Sequence, residues 1–186
     1  MKTTKAIIWC MVLMIIVGAV YRVFPNRPWG FAPQWAMALF GGAVIRDKKW
    51  AFALPLLSML VSDVLYHFLY SNNLSPIPGF YSGQLTNYIL FAVVTVIGFL
   101  IKPLSVGRIA LYSLAGPTVF FILSNFILWM GGGGLQRPKT FQGLMMCYTD
   151  ALPFYQNSLL ATLFFSTVLF GSWMLITRKQ RRAEIA

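Results

Sequence analysis

Asp63 and His67 stand four residues apart in WAFALPLLSMLVSDVLYHFLY, the stretch Trp50–Tyr70, which is long and apolar enough to cross a membrane. That spacing puts a carboxylate and an imidazole on one face of a helix. An aspartate at the centre of a membrane helix costs about 2.5 to 3.5 kcal/mol on insertion scales, so it is seldom kept without a partner or a task. The pair therefore marks the place to look for ligand or metal chemistry.

Other polar residues share that depth. With a helix rise of about 1.5 Å per residue, Asp63 lies about 20 Å and His67 about 26 Å beyond Trp50. Ser124 and Asn125 lie about 23 to 24 Å beyond Ile109 in the run Ile109–Met130. Asn87 and Tyr88 open the run Asn87–Ile101 at the same surface. Asp63, His67, Asn87 and Asn125 are thus the polar candidates for one ligand site, with Trp29, Tyr148 and Phe154 as aromatic walls or lid contacts. Each has a second reading. Asp63 and Asn125 can serve as interhelical glue, and His67 can snorkel beside Tyr66 and Tyr70 in an interfacial aromatic belt. Cys147 is a lone thiol. It has no spaced partner of the kind a zinc motif needs, and only together with His67 and Asp63 would it complete a soft metal site.

These residues must be positioned by membrane helices. The chain has 186 residues, 58% hydrophobic and only 10% charged, with a mean hydropathy of +0.70, too apolar for a soluble domain of this size. The apolar runs are Ala6–Tyr21, Trp29–Ile45, Trp50–Tyr70, Asn87–Ile101, Ile109–Met130 and Ser158–Ile176. The expected fold is all-α, a single transmembrane domain over 1–186 with six helices, of which the third, fifth and sixth runs have full spanning length and the second is short. Lys2 and Lys5 before the first run resemble the start of a secretory signal. The poor small-residue cleavage site near Gly18 favours a retained helix instead.

The net charge of +11 reports topology and not a nucleic-acid partner. With both termini cytoplasmic, eleven of the fifteen Lys and Arg residues fall inside. Arg22, Arg27, Arg137 and Lys139 fall outside, the bias of the positive-inside rule. The expected location is the bacterial cytoplasmic membrane, multi-pass. The inner connections are short, and a basic tail occupies 177–186. The outer loops are 22–28, 71–86 and 131–157, the last beginning with the hinge Gly131–Gly134 and long enough to act as a lid. Cys10 and Cys147 then lie towards opposite faces, which excludes a disulfide between them.

Two features are structural first. Gly116-Pro117 should kink the fifth helix. Ala38 and Gly42 form a small-xxx-small face for close helix contact, within the fold or with another protein. No hydrolase elbow, phosphate loop or paired catalytic carboxylates are present, so catalysis is not expected; the sequence does not tell which cofactor, if any, is used.

The segments FAPQWAMALFGGAVI, LPLLSMLVSD, SNFILWM and GLMMCYTDALPFYQNSLLATLFFSTVLFG, in that order, resemble the signature of a bacterial family of six-span membrane proteins. That family is similar in layout to the substrate-binding S components of energy-coupling factor vitamin transporters, most closely the solitary cobalamin type. The resemblance implies capture of a vitamin-like micronutrient near the outer surface, and a membrane-embedded energising partner contacted through a small-residue motif, here Ala38 and Gly42. Two departures stand out. The cobalamin type carries a cobalt-ligating cysteine between its third and fourth spans, whereas Ser71–Thr86 has none. S components also typically carry the small-residue motif in the first span. The expected function is therefore uptake of a small micronutrient. The alternatives are a structural or assembly subunit and, third, an intramembrane enzyme.

Overall fold

The computed structural model describes residues 5–185, with side chains from 8 to 178. Lys2 and the side chains of Lys5, Lys179, Arg181 and Arg182, on which part of the charge argument rests, lie outside the described residues. The chain folds into six helices: α1 (Lys5–Val23), α2 (Gln34–Val44), α3 (Lys48–Ser71), α4 (Gln84–Gly98), α5 (Val106–Met130) and α6 (Phe141–Ile185). Three of them, α3, α5 and the Phe141–Arg178 part of α6, are long and apolar enough to cross a membrane. The apolar stretches of α1 and α4 are shorter.

The second helix departs most from expectation. Pro28 and Pro33 delay its start, because the residue before a proline disfavours helical backbone, and α2 begins only at Gln34. Its 11 residues span about 16 Å, well short of a ~30 Å hydrocarbon core. It does not need to meet lipid. Ala36, Ala38 and Leu39 are fully buried, and α2 packs against α3, α4, α5 and α6. It is the axis of the bundle.

Small residues make that possible. A Cβ on Gly42 would collide with the Thr95 carbonyl oxygen, and one on Gly98 would stand 2.6 Å from the Leu39 carbonyl oxygen, so α2 and α4 cross backbone to backbone. On the neighbouring face, a Cβ on Gly41 would stand 2.8 Å from the Ala51 carbonyl oxygen of α3. Ala38 and Gly42 are therefore spent on internal packing. This corrects their assignment as a contact for a separate subunit. Around them Trp35 meets Phe91 and Phe120, with ring centroids 5.4 and 5.7 Å away, and Phe40 meets Phe170 at 5.3 Å. Gly116 of α5 faces Leu39 and Val94.

Helix directions can be read from which residues meet. Gly18 lies against Ser58 and Arg22 against Ser62, so α1 and α3 run parallel. Gln34 meets Ser58 and Gly41 meets Ala51, so α2 and α3 are antiparallel. Thr118 meets Tyr155 and Tyr148 meets Ile122, so α5 and α6 are antiparallel. One end of the bundle carries the connections 24–33, 72–83 and 131–140; the other carries the short ones.

The expected outer loops shrink accordingly. Arg22 belongs to α1, and Gln84 to Thr86 belong to α4. From Phe141 onward the presumed lid 131–157 is the opening of α6, with Gly143, Leu144, Cys147, Ala151, Tyr155 and Ser158 on its inward face. Helical spacing of these residues gives the segment an apolar stripe to bury on α5. At the other end, the expected tail 177–186 continues the helix to Ile185.

Candidate functional site

Asp63 is 1% exposed and is the centre of a polar node joining α1, α3 and α4. Its Oδ1 accepts from Arg22 Nη1. Its Oδ2 accepts from Gln84 Nε2 at 2.6 Å and from the Tyr88 hydroxyl at 2.7 Å. Arg22 Nη1 also donates to Ser62 Oγ at 2.6 Å, and Ser62 donates to the Met59 carbonyl at 2.7 Å. The Arg22 carbonyl accepts from the Tyr66 hydroxyl at 2.7 Å and from Arg27 Nε at 2.6 Å. The connection between α3 and α4 folds down over this node. A Cβ on Gly79 would overlap the Asp63 carbonyl oxygen and the His67 amide nitrogen, so only glycine lets the loop lie so close to α3.

Beside the node, at the end with the long connections, is a cleft of about 430 Å³ between the loop following α1 and the loop following α3. Its walls include Phe24, Arg27, Trp29, Tyr66, Pro76 and Ile77. Tyr66 and Arg27 both hydrogen-bond to the Arg22 carbonyl. The ion pair at Asp63 thus holds two walls of the cleft in position without opening into it.

The expected site residues separate. Trp29 lines the cleft, 61% exposed. His67 is exposed on α3, its ring 5.4 Å from that of Phe80. Asn87 donates to the Tyr81 hydroxyl at 2.7 Å and fastens the α3–α4 loop. Asn125 does not join Asp63: its amide donates to the Phe121 carbonyl of its own helix at 2.8 Å, and its carbonyl accepts the Cys147 thiol at 3.7 Å, on the α5–α6 side. Tyr148 belongs there too, donating to the Ile122 carbonyl at 2.9 Å. Phe154 is half exposed, and its carbonyl lies under Gly30. Neither Tyr148 nor Phe154 lines the cleft. The common depth of these residues was therefore not convergence, because equal height in a bundle leaves the angle about its axis open.

Metal chemistry fares no better. Among the described residues no three His, Cys, Asp or Glu side chains cluster, and His67 and Cys147 have separate neighbours on α3 and α6. A buried carboxylate needs a compensating charge, and at Asp63 Arg22 supplies it. Arg22, Arg27, Gln84 and Tyr88 are the members of this region that spacing on α3 alone does not reveal. The available signal was Gln84 and Tyr88, one helical turn apart at the start of α4.

A family of unknown function, DUF6580, matches residues 2–184. The chain belongs to this family. No curated protein and no solved structure matches it.

Proposed function

We propose that this DUF6580 protein is a six-span protein of the bacterial cytoplasmic membrane, with both termini cytoplasmic and an S-component-like layout, that captures a small vitamin-like micronutrient at the cleft for uptake. The observation that carries this reading is the cleft itself. Its volume of about 430 Å³ falls in the ~300–1,000 Å³ range of small-molecule sites, and its walls are mostly apolar and aromatic with a few polar groups, as in such sites. The alternating helix directions support six crossings. In that orientation the cleft faces outward.

Asp63 acts in this reading as a buttress and not as a ligand donor, because its two oxygens already accept three donors. His67, Asn87 and Asn125 are likewise structural. An energising membrane subunit would have to dock elsewhere than Ala38 and Gly42. The reading contains no catalytic step. A structural or assembly subunit is the second reading, favoured by how completely Asp63 is bonded.

Ligand-dependent stability separates the two. A ligand that binds only the folded state stabilises it by about 2.7 kcal/mol at a hundredfold excess over Kd. Thermal unfolding of the purified protein against B vitamins, corrinoids and transition metals should show at least one compound that raises the midpoint. The shift should shrink in Trp29→Ala, whose exposed side chain leaves the fold intact. If no compound stabilises the wild type, the structural role replaces uptake.

A further inference from the structure

The charges at the end with the long connections are unevenly matched. Four cations lie near the end with the long connections. Arg22 pairs with Asp63, and Arg137 pairs with Asp150 at 2.8 Å. The Lys139 ammonium donates to the Trp129 carbonyl and lies 5.3 Å from that indole's centroid. Arg27 alone of the four makes neither a salt bridge nor a cation–π contact among the described residues.

Its surroundings hold the guanidinium without neutralising it. Nε donates to the Arg22 carbonyl at 2.6 Å and Nη1 to the Phe31 carbonyl at 3.2 Å. Two backbone carbonyls fix the plane of the group, while Nη2 has no partner among the described residues. Nor does the chain hold an acid in reserve. It has four acidic residues: Asp47 caps α3 at the far end, Asp63 and Asp150 are paired, and Glu184 lies about 39 Å along α6 from Ser158, the residue that meets Gly30. Arg27 is also the only charged residue in the cleft wall, among the flat surfaces of Phe24, Trp29, Tyr66 and Pro76.

We propose that the ligand of the cleft is an anion, a planar or ring-bearing molecule whose carboxylate or phosphate pairs with Arg27 while its apolar body lies between the aromatic and proline walls. A pre-oriented guanidinium presents its free Nη2 hydrogens to such a group, and charge-assisted bonds are about twice as strong as neutral ones. The inference rests on the cleft being a small-molecule site. The anion has two sources: a soluble metabolite, or the net-negative headgroup of an anionic lipid entering from the surrounding bilayer.

The test compares acid with amide. Full-length protein in phosphatidylcholine nanodiscs is titrated by calorimetry with indole-3-acetate and with the neutral indole-3-acetamide. The acid is expected to bind at least tenfold more tightly, a difference of about 1.4 kcal/mol. Arg27→Gln should bind acid and amide alike, and Arg27→Lys should keep part of the preference. Because the readout is a ratio within each variant, a change in the folded fraction does not imitate it. Equal affinity of acid and amide in the wild type overturns the anion and leaves the cleft standing; no binding of either overturns both. A second series in nanodiscs containing phosphatidylglycerol identifies the source. A lipid headgroup raises the unfolding midpoint of the wild type but not of Arg27→Gln and competes with indole-3-acetate, whereas a soluble anion leaves the affinity for indole-3-acetate unchanged.

Discussion

Asp63 shows how a buried charge is made tolerable: Arg22 supplies the counter-charge, and Gln84 and Tyr88 occupy the other oxygen. Removing one member of such a pair leaves an uncompensated charge and typically costs about 3–5 kcal/mol, whereas replacing both by apolar residues is often close to neutral. Arg22→Met should therefore lower unfolding stability in mixed micelles by about that amount, and Arg22→Met combined with Asp63→Leu should recover most of it. A double variant no more stable than the single one would show that the pair is not what holds α1 to α3. The aspartate was legible in the sequence because a lone acid in an apolar run is conspicuous. Its partner was not, since a cation at the end of a span is ordinary and Arg22 was counted with the loop. His67 illustrates the opposite error. Sharing a helix face with Asp63 is necessary for a joint site, but the α3–α4 loop lies over the backbone between them at Gly79 and leaves the imidazole outside the node.

Two helices differ in extent from their apolar runs, for different reasons. Helix α2 is short because it is surrounded by protein, so the rule that a span needs about 20 apolar residues does not apply to it in isolation. Its glycines follow the same logic. Gly42→Val is expected to destabilise strongly, by more than the ~1–3 kcal/mol usual for overpacking, because the obstruction is the backbone carbonyl of Thr95. Gly171 of α6 has open space around the Cβ position, and Gly171→Ala should be neutral or stabilise by up to about 1 kcal/mol. Equal effects at the two sites in a denaturation series would contradict the packing described. The opening of α6 was missed because its hydropathy falls between Phe141 and Asn157, although the inward stripe Leu144, Cys147, Ala151, Tyr155 keeps helical spacing. A membrane-impermeant maleimide should leave the buried Cys147 unmodified in the folded protein and modify a cysteine placed at the exposed position 146. Rapid labelling of Cys147 would restore the mobile lid.

At the scale of the whole molecule, charge and packing point to one arrangement for independent reasons. Parallel α1 and α3, antiparallel α2 and α3, and antiparallel α5 and α6 follow from which side chains meet, without reference to a membrane. The excess of Lys and Arg at the short-connection end follows from the sequence alone, and in the proposed orientation the positive-inside rule assigns that end to the cytoplasm. The packed directions require the connections 24–33, 72–83 and 131–140 to share the opposite side. Single cysteines at Asn26 and Gln136, both exposed, should therefore react with an impermeant maleimide added to intact cells, in a background where Cys10 and Cys147 are replaced by serine and alanine. Cysteines at Lys2 and Ala183 should react only after the membrane is permeabilised. The cleft makes this more than a matter of orientation, since Arg27 and Trp29 lie in the same connection as Asn26. If Asn26→Cys is protected while Lys2→Cys is labelled, the cleft opens to the cytoplasm, and capture of a nutrient from outside gives way to release or sensing on the inner side.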